Sequence, residues 1–241
     1  MNVIEIYKAA QGEGMRVGQP TVFVRLAGCT VGCRWCDTKF SWKAAQGTTY
    51  TPQELCDAFL QYGINSLVLT GGEPMQHPAA ALGEFLDLTV PHVRDITIET
   101  SGIVFPAFTL NTQPPFPLLW SVAPKLPAAK TRTTFPNLRK WVDIATSRGE
   151  PIQFKFVVSS QLEIDLVKIL LHTHNISTYV PVIIQPTTVF KPASQPEVVK
   201  SLLTSTRQMQ EYLLKQDWTN KYQIYIRPQM HALLYGQKRG I

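Results

Sequence analysis

Three cysteines within eight residues, Cys29, Cys33 and Cys36, constrain this 241-residue chain more than any other feature. Three residues separate the first pair and two the second, so a short loop can wrap one centre with every sulfur on its inner side. Four thiolates are the usual complement of an iron–sulfur cubane, and three leave one iron open to chelation by a substrate or cofactor. A structural zinc site takes four ligands, usually as two separated pairs. A disulfide would strand the third thiol. Cys56 stands at an apolar position of Leu55-Cys56-Asp57-Ala58-Phe59-Leu60 and reads as a small buried hydrophobe.

Around this loop, strand-like and helix-like stretches alternate. Strands are expected at 3–7, 21–26, 65–70, 95–100, 118–122, 152–158, 178–184 and 222–226. Helices are expected at 51–63, 78–88, 136–148, from 160 onward, and 197–216. Thr51-Pro52-Gln53-Glu54 and Ser160-Gln161-Leu162-Glu163 both have the form of a capping box. About six such repeats of strand and helix predict an α/β protein, with parallel strands in a partial, open β/α barrel. The chain is short for a complete eightfold barrel. The pattern shows neither an internal repeat nor a domain boundary, so a single domain over 1–241 is expected. A proline-rich stretch at 103–117 reads as a loop insertion.

Polar motifs recur just after the strands, at 27–38, 70–74, 100–102, 123–125 and 185–186. The carboxyl ends of parallel strands form the active face of such barrels. In Gln11-Gly12-Glu13-Gly14 the glycines permit a left-handed backbone and close approach to a ligand. Arg25, inside the apolar strand 21–26, is either paired within the protein or aimed at a ligand carboxylate, which its planar fork suits. His172 and His174 near a helix end read as surface residues.

Composition sets outer limits. With 44% hydrophobic and 17% charged residues the chain is an ordinary globular one. Its net charge of +6 comes from Lys and Arg scattered without a run, which reads as a solvated surface partly facing an anionic ligand. Direct nucleic-acid binding is not expected. The first eleven residues lack the apolar core of a signal peptide, and no stretch nears the ~20 apolar residues that span a bilayer. A cytoplasmic location is expected.

The Cys-x3-Cys-x2-Cys spacing, Trp35 before the last cysteine and Gly71-Gly72-Glu73-Pro74 resemble the radical S-adenosylmethionine superfamily. Gln11-Gly12-Glu13-Gly14, Phe23-Val24-Arg25-Leu26 and Trp35-Cys36-Asp37-Thr38 extend the resemblance to its 7-carboxy-7-deazaguanine synthase family, from about residue 3 to the end. The resemblance implies the superfamily's partial barrel. It implies a lyase that contracts 6-carboxy-5,6,7,8-tetrahydropterin to 7-carboxy-7-deazaguanine with loss of ammonia, in queuosine-type deazapurine biosynthesis and hence a tRNA modification pathway. Cys29, Cys33 and Cys36 would bind a [4Fe-4S] cluster, and Thr38 a Mg²⁺ ion.

S-adenosylmethionine would contact Trp35, Cys36, Asp37, Gly72, Glu73, Gly102, Ala123, Pro124, Lys125 and Gln185. Ala123 replaces the serine that relatives tend to carry before this proline, so a hydroxyl contact is not expected there. The pterin would contact Ala10, Gln11, Gly12, Arg25, Thr100, His231 and Ile241. A homodimer and an electron donor such as flavodoxin or ferredoxin are further implications. Two other readings stay open on sequence: an activase that installs a glycyl radical on a partner protein, and a non-catalytic iron–sulfur carrier.

Overall fold

The computed structural model describes residues 1–111, 118–188, 194–236 and 238. In chain order the strands are β1 (Asn2–Ala10), β2 (Pro20–Leu26), β3 (Thr48–Thr49), β4 (Ser66–Gly71), β5 (Asp95–Thr100), β6 (Leu118–Val122), β7 (Ile152–Val158), β8 (Val182–Pro186) and β9 (Ile224–Ile226). The helices are α1 (Pro52–Leu60), α2 (Ala79–Thr89), α3 (Leu138–Ser147), α4 (Gln161–Thr173), α5 (Gln195–Leu213) and α6 (Met230–Tyr235).

Among the described residues one sheet holds all nine strands, in the order β3-β1-β2-β4-β5-β6-β7-β8-β9. From β2 to β9 every neighbouring pair is parallel. Among the described residues β3 and β9 are not joined, so the sheet is an open β/α barrel, as the alternation predicts. The β1 edge departs from that pattern. Only residues 11–19 link β1 to β2, too short for a crossover, and β1 therefore runs antiparallel to β2.

Helices α1 to α5 cover the crossovers, except between β5 and β6. There, residues 101–111 contain no helix, and 112–117 lie outside the described residues. The segment is nonetheless packed. Phe108 is buried, its ring centroid 6.2 Å from that of Trp120. A Cβ added at Gly83 of α2 would come within 3.3 Å of the Phe108 Cβ. Part of the 103–117 stretch thus covers the face that a crossover helix covers elsewhere.

Several boundaries differ from the sequence expectation. The strand expected from Thr178 begins at Val182, because Val180 N–H bonds the Ser177 carbonyl in a turn and Pro181 has no N–H to give. The strand expected from Tyr222 begins at Ile224. The box at Thr51 and Glu54 forms in full, with Pro52 opening α1. At α4 the Ser160 hydroxyl accepts from Glu163 N–H, but the Glu163 carboxylate turns to the Ser159 N–H and hydroxyl instead of closing a box. Helix α5 starts two residues early, at Gln195, with the Glu197 carboxylate accepting from Ser194 N–H. Leu203, expected on its buried stripe, is 52% exposed.

Trp120 and Trp141 anchor the core with ring centroids 5.3 Å apart. Both indoles also reach buried acceptors: Trp141 Nε1 donates to the Gly102 carbonyl at 2.7 Å, and Trp120 Nε1 to Glu150 at 2.5 Å. The first bond fixes α3 to the tip of β5. Burial pushes the Glu150 carboxyl above the ordinary carboxylate range, which the indole bond partly opposes.

Parallel pairing also aligns the inner face. Arg25 of β2 is in register with Thr70 of β4, and Glu99 of β5, Ser121 of β6 and Gln153 of β7 are in register with one another, while the Thr70 hydroxyl bonds the Glu99 carboxylate. Side chains alternate between the faces of a strand, so the residues two apart from these, Phe23, Val68, Leu119 and Lys155 among them, face the same interior and make it a mixture of polar and apolar groups.

Candidate active site

The cysteine loop follows β2 and is held on three sides. Gly28 N–H bonds the Ser41 carbonyl at 2.7 Å and Cys29 N–H the Trp42 carbonyl at 3.0 Å. Arg34 N–H bonds the Ala129 carbonyl at 2.8 Å, and Arg132 N–H the Val31 carbonyl at 3.0 Å. From the β4 tip, Glu73 N–H reaches the Gly28 carbonyl at 2.8 Å. That approach requires glycine: a Cβ at Gly72 would lie 2.0 Å from the Gly28 oxygen.

Cys29, Cys33 and Cys36 all line one cavity of about 550 Å³, and none is in a disulfide. Among the described residues no group of three His, Cys, Asp or Glu converges as a single ion requires. Three thiols outside any disulfide, on one loop and lining one cavity, supply the donors of an iron–sulfur cluster with one iron left open. Burial pushes the Cys29 and Cys33 thiols up, partly opposed by the Val31 backbone for Cys29 and by Lys125 for Cys33. Thiolates at such positions need the positive charge of a metal, and its binding releases their protons. Cys56 lies elsewhere, buried, with its thiol 3.6 Å from the Leu88 carbonyl.

Gln11, Gly12 and Glu13 floor the cavity, and the residues after them tie that floor to the sheet. Met15 N–H bonds Gln153 at 2.8 Å, Arg16 reaches the Ile96 carbonyl at 2.7 Å, and Arg227 bonds the Gly14 carbonyl at 2.6 Å. Gly14 has φ 71°, and a Cβ there would lie 2.3 Å from the Gln153 amide, so glycine is required twice over. Gln11 bonds Glu99 at 3.3 Å, and Thr70 bonds the other Glu99 oxygen at 2.8 Å.

At the centre of the floor Lys155 of β7 donates to Glu13, which also accepts from Gln185 at 3.0 Å and Gln229 at 2.6 Å. Burial alone would raise the Glu13 carboxyl. The Lys155 ammonium, with His231 and the donated hydrogen bonds, instead holds it down at about 2. Lys155 is lifted well above its ordinary value: burial opposes the charge, but Glu13 and Glu99 outweigh it. Met230 N–H bonds the Gly12 carbonyl at 2.9 Å, which returns α6 to the floor. His231 then lies so near Gly12 that a Cβ there would stand 2.3 Å from its Nδ1.

The cavity gathers most of the residues singled out in the sequence. Ala10, Gln11, Gly12, Arg25, Thr100 and His231 line it, whereas Ile241 lies outside the described residues. Trp35, Asp37, Gly72, Glu73, Ala123, Lys125 and Gln185 line it too, as does Thr38, whose hydroxyl is 3.4 Å from the Cys36 sulfur. Pro124 and Gly102 are not on the wall. Gly102, at φ 80°, packs instead against Val122 and Trp141, 2.7 and 3.0 Å from where its Cβ would be.

Arg25 has partners within the protein. Its Nε meets Glu5 at 2.7 Å and an Nη meets the Tyr7 hydroxyl at 2.6 Å. Glu73 is buried and accepts from Met75 N–H at 3.2 Å, Thr100 at 2.6 Å, Ser101 N–H at 2.8 Å and the Ser101 hydroxyl. These bonds tie the β4 tip to the β5 tip.

Sequence reasoning passed over Lys155, Glu99 and the two partners of Arg25, whereas Gln229 lies in the Pro-Gln-x-His segment that the resemblance returns to the site. One signal was available: Gln153 and Lys155 sit at alternate positions of Ile152-Gln153-Phe154-Lys155-Phe156, polar residues facing inward from an otherwise apolar strand.

Comparison with known proteins adds what geometry alone does not. A family model described as a 4Fe-4S single cluster domain matches residues 10–114. The 7-carboxy-7-deazaguanine synthase of Hyperthermus butylicus is 34% identical over 67% of this chain and 66% of its own length. That of Pyrobaculum aerophilum is 33% identical over 70% of this chain and 71% of its own. The chain belongs to the 7-carboxy-7-deazaguanine synthase family. Matched segments thus span about two-thirds of these synthases. In fold, the chain is similar to the crystal structure of QueE from Escherichia coli, with a TM-score of 0.63, 22% identity, and 94% of this chain and 93% of that one covered. As a member of this synthase family the chain is a radical S-adenosylmethionine lyase that carries a 4Fe-4S cluster.

Proposed function

We infer that this cavity contracts 6-carboxy-5,6,7,8-tetrahydropterin to 7-carboxy-7-deazaguanine with release of ammonia, a step of deazapurine biosynthesis. The observation that carries the reading is the joining of two unlike walls in one space. Cys29, Cys33 and Cys36 line one part of the cavity, and Arg25, Glu99, Glu13 and Lys155 another. Cluster and S-adenosylmethionine, when bound, supply one-electron, hydrogen-abstracting chemistry. The chain supplies position, charge and exclusion of water.

Cys29, Cys33 and Cys36 would hold the cluster from the loop after β2. Glu73, saturated by donors from β4 and β5, fixes the backbone on which the methionine part of the cofactor would rest. Gly72, Asp37, Lys125 and Gln185 complete that side. Arg25 is oriented by Glu5 and Tyr7, and its fork retains an Nη for the substrate carboxylate. Gln11, Gly12, Thr100 and His231 would surround the ring system. Thr38, beside Cys36, offers its hydroxyl to a Mg²⁺ ion that takes its other ligands from water and substrate oxygens.

The same reading gives the enzyme a cytoplasmic location, a homodimeric form, an electron donor and a product that feeds queuosine-type tRNA modification. Among the described residues no helix is long and apolar enough to cross a membrane. Reconstituted protein, incubated anaerobically with S-adenosylmethionine, dithionite and the carboxypterin, is expected to form 7-carboxy-7-deazaguanine, detected chromatographically. Cofactor cleavage that neither needs the pterin nor yields that product would overturn the reading.

A further inference from the structure

The turn that carries Cys29 is held by a side chain outside the cavity. Just before it, residues 26–28 are pinned to the β4 tip and the turn that follows. Gly72 N–H bonds the Leu26 carbonyl and Glu73 N–H the Gly28 carbonyl, each at 2.8 Å, and His77 Nε2 donates to the Ala27 carbonyl at 2.9 Å. Beyond Cys29 the hold passes to Gln76. Thr30 N–H donates to Gln76 Oε1 at 3.1 Å, and Gln76 Nε2 donates to the Thr30 hydroxyl at 2.5 Å. A backbone N–H can only donate, so it fixes which end of the Gln76 amide faces it. Gln76 closes the short helical turn Pro74–Gln76, where its own N–H bonds the Glu73 carbonyl at 3.0 Å. Neither Gln76 nor Thr30 lines the cavity.

This hold orients the next two peptides. The Val31 and Gly32 N–H groups both bond the Cys29 sulfur. Gly32, at φ 69°, supplies the left-handed backbone of the turn. Arg132 N–H, 3.0 Å from the Val31 carbonyl, fixes the far side. With Thr30 held by Gln76 and Val31 by Arg132, neither peptide is free to swing off the sulfur. An N–H aimed at a ligating thiolate withdraws negative charge from it. Reduction adds an electron to the centre, so such bonds favour the reduced state and raise its potential.

We propose that Gln76 is a positioning residue for the cluster: its two-point hold on Thr30 keeps the Val31 and Gly32 N–H groups on the Cys29 sulfur and so raises the reduction potential. The proposal uses the cluster assignment of Cys29, Cys33 and Cys36 and is independent of the substrate that the cavity takes.

Midpoint potentials of the reconstituted protein are measured by mediated redox titration followed by EPR, without S-adenosylmethionine. The parent is compared with Gln76→Ala, Thr30→Val and the double variant. Gln53→Ala, at an exposed position of α1, serves as control and should keep the parent's midpoint. Gln76→Ala is expected to keep the parent's iron content. Its equilibrium constant for one-electron reduction should fall about tenfold, a midpoint lower by about 59 mV. Thr30→Val removes one of the two bonds and should lower the midpoint by less. In the double variant the valine should add nothing, because the hydroxyl has already lost its partner. An unchanged midpoint in Gln76→Ala would overturn the proposal and leave Gln76 a brace for stability only. A higher midpoint would overturn it in favour of water entering at the turn. Should Gln76→Ala lose its iron, Thr30→Val decides by the same two criteria. A parent that holds a reducible cluster yet forms no 7-carboxy-7-deazaguanine would overturn the functional reading and leave the midpoints to decide the role of Gln76.

Discussion

Lys155 and Glu13, 142 residues apart in the chain, form a buried ion pair in which the Lys155 ammonium donates to the Glu13 carboxylate. The pair joins β7 to the turn between β1 and β2. Through Gln185 and Gln229 it also reaches β8 and the segment before α6. Removing one partner leaves the other charge buried and unpaired, which costs roughly 3–5 kcal/mol. Lys155→Met is therefore expected to lower the denaturation midpoint strongly. Restoring neutrality with Glu13→Gln in the same chain is expected to recover much of the loss. Double-variant stability no better than that of Lys155→Met would refute the coupling.

The pH dependence has a definite sign. Glu13 is depressed from 4.5 to about 2, so its contribution is whole above 4.5 and is lost as pH falls through about 2. Lys155 is raised above 10.5, so its contribution is whole below 10.5 and is lost only as pH rises through its folded value. The stability gap between parent and Glu13→Gln should be flat between those bounds and should close in acid. Chemical denaturation along a pH series checks this; a gap that widens below 4.5 has the wrong sign.

Arg25 is pinned by Glu5 and Tyr7, so its role separates into charge and aim. Arg25→Lys keeps the charge but loses the fork, and substrate binding is expected to weaken by roughly 2–5 kcal/mol if the contact is closed from water. Glu5→Gln keeps the guanidinium but loosens its aim, and should raise KM by a smaller factor with kcat little changed. Unchanged KM in both variants, with iron content intact, would make Arg25 a structural residue of the β1–β2 edge.

Iron content tests the thiols separately from turnover. Cys33→Ala is expected to lose the cluster absorption and most bound iron. Cys56→Ala is expected to keep both, because its thiol faces the Leu88 carbonyl away from the cavity. Loss of iron in Cys56→Ala would show that the three-ligand assignment is wrong.

The barrel was legible because its signals are local. Each strand is a short apolar run, and the Thr51 and Glu54 box marks a helix start without help from the rest of the fold. Cys29, Cys33 and Cys36 were legible for the same reason: their spacing alone brings them together. The Glu13–Lys155–Gln229 network was not, because nothing in residues 11–14 tells which later strand will lie beneath them. Its members meet only when the parallel register is set. The packed part of the proline-rich stretch was hidden similarly: Phe108 earns its burial from Trp120 and Gly83, neither of them its neighbour in sequence.

Thr38 gives the narrowest test. Its hydroxyl stands 3.4 Å from the Cys36 sulfur, while its carbonyl is occupied by the Ser41 N–H at 2.8 Å and the Ser41 hydroxyl at 2.7 Å. The carbonyl is therefore occupied, and the hydroxyl, whose one partner among these bonds is the weakly bonding Cys36 sulfur, is the Thr38 oxygen left at the cavity wall. Although Thr38 precedes a short helical turn, its side chain makes no capping bond there. Mg²⁺ keeps much of its water and needs only one or two protein oxygens when an anionic substrate supplies others. Turnover is expected to rise with added Mg²⁺ in the parent, and Thr38→Ala to lose that response while keeping its iron. Thr38→Ser retains the hydroxyl and should keep most of the response, which separates ligation from packing of the methyl group. Equal Mg²⁺ stimulation of the parent and Thr38→Ala would place the ion elsewhere or remove it from the mechanism.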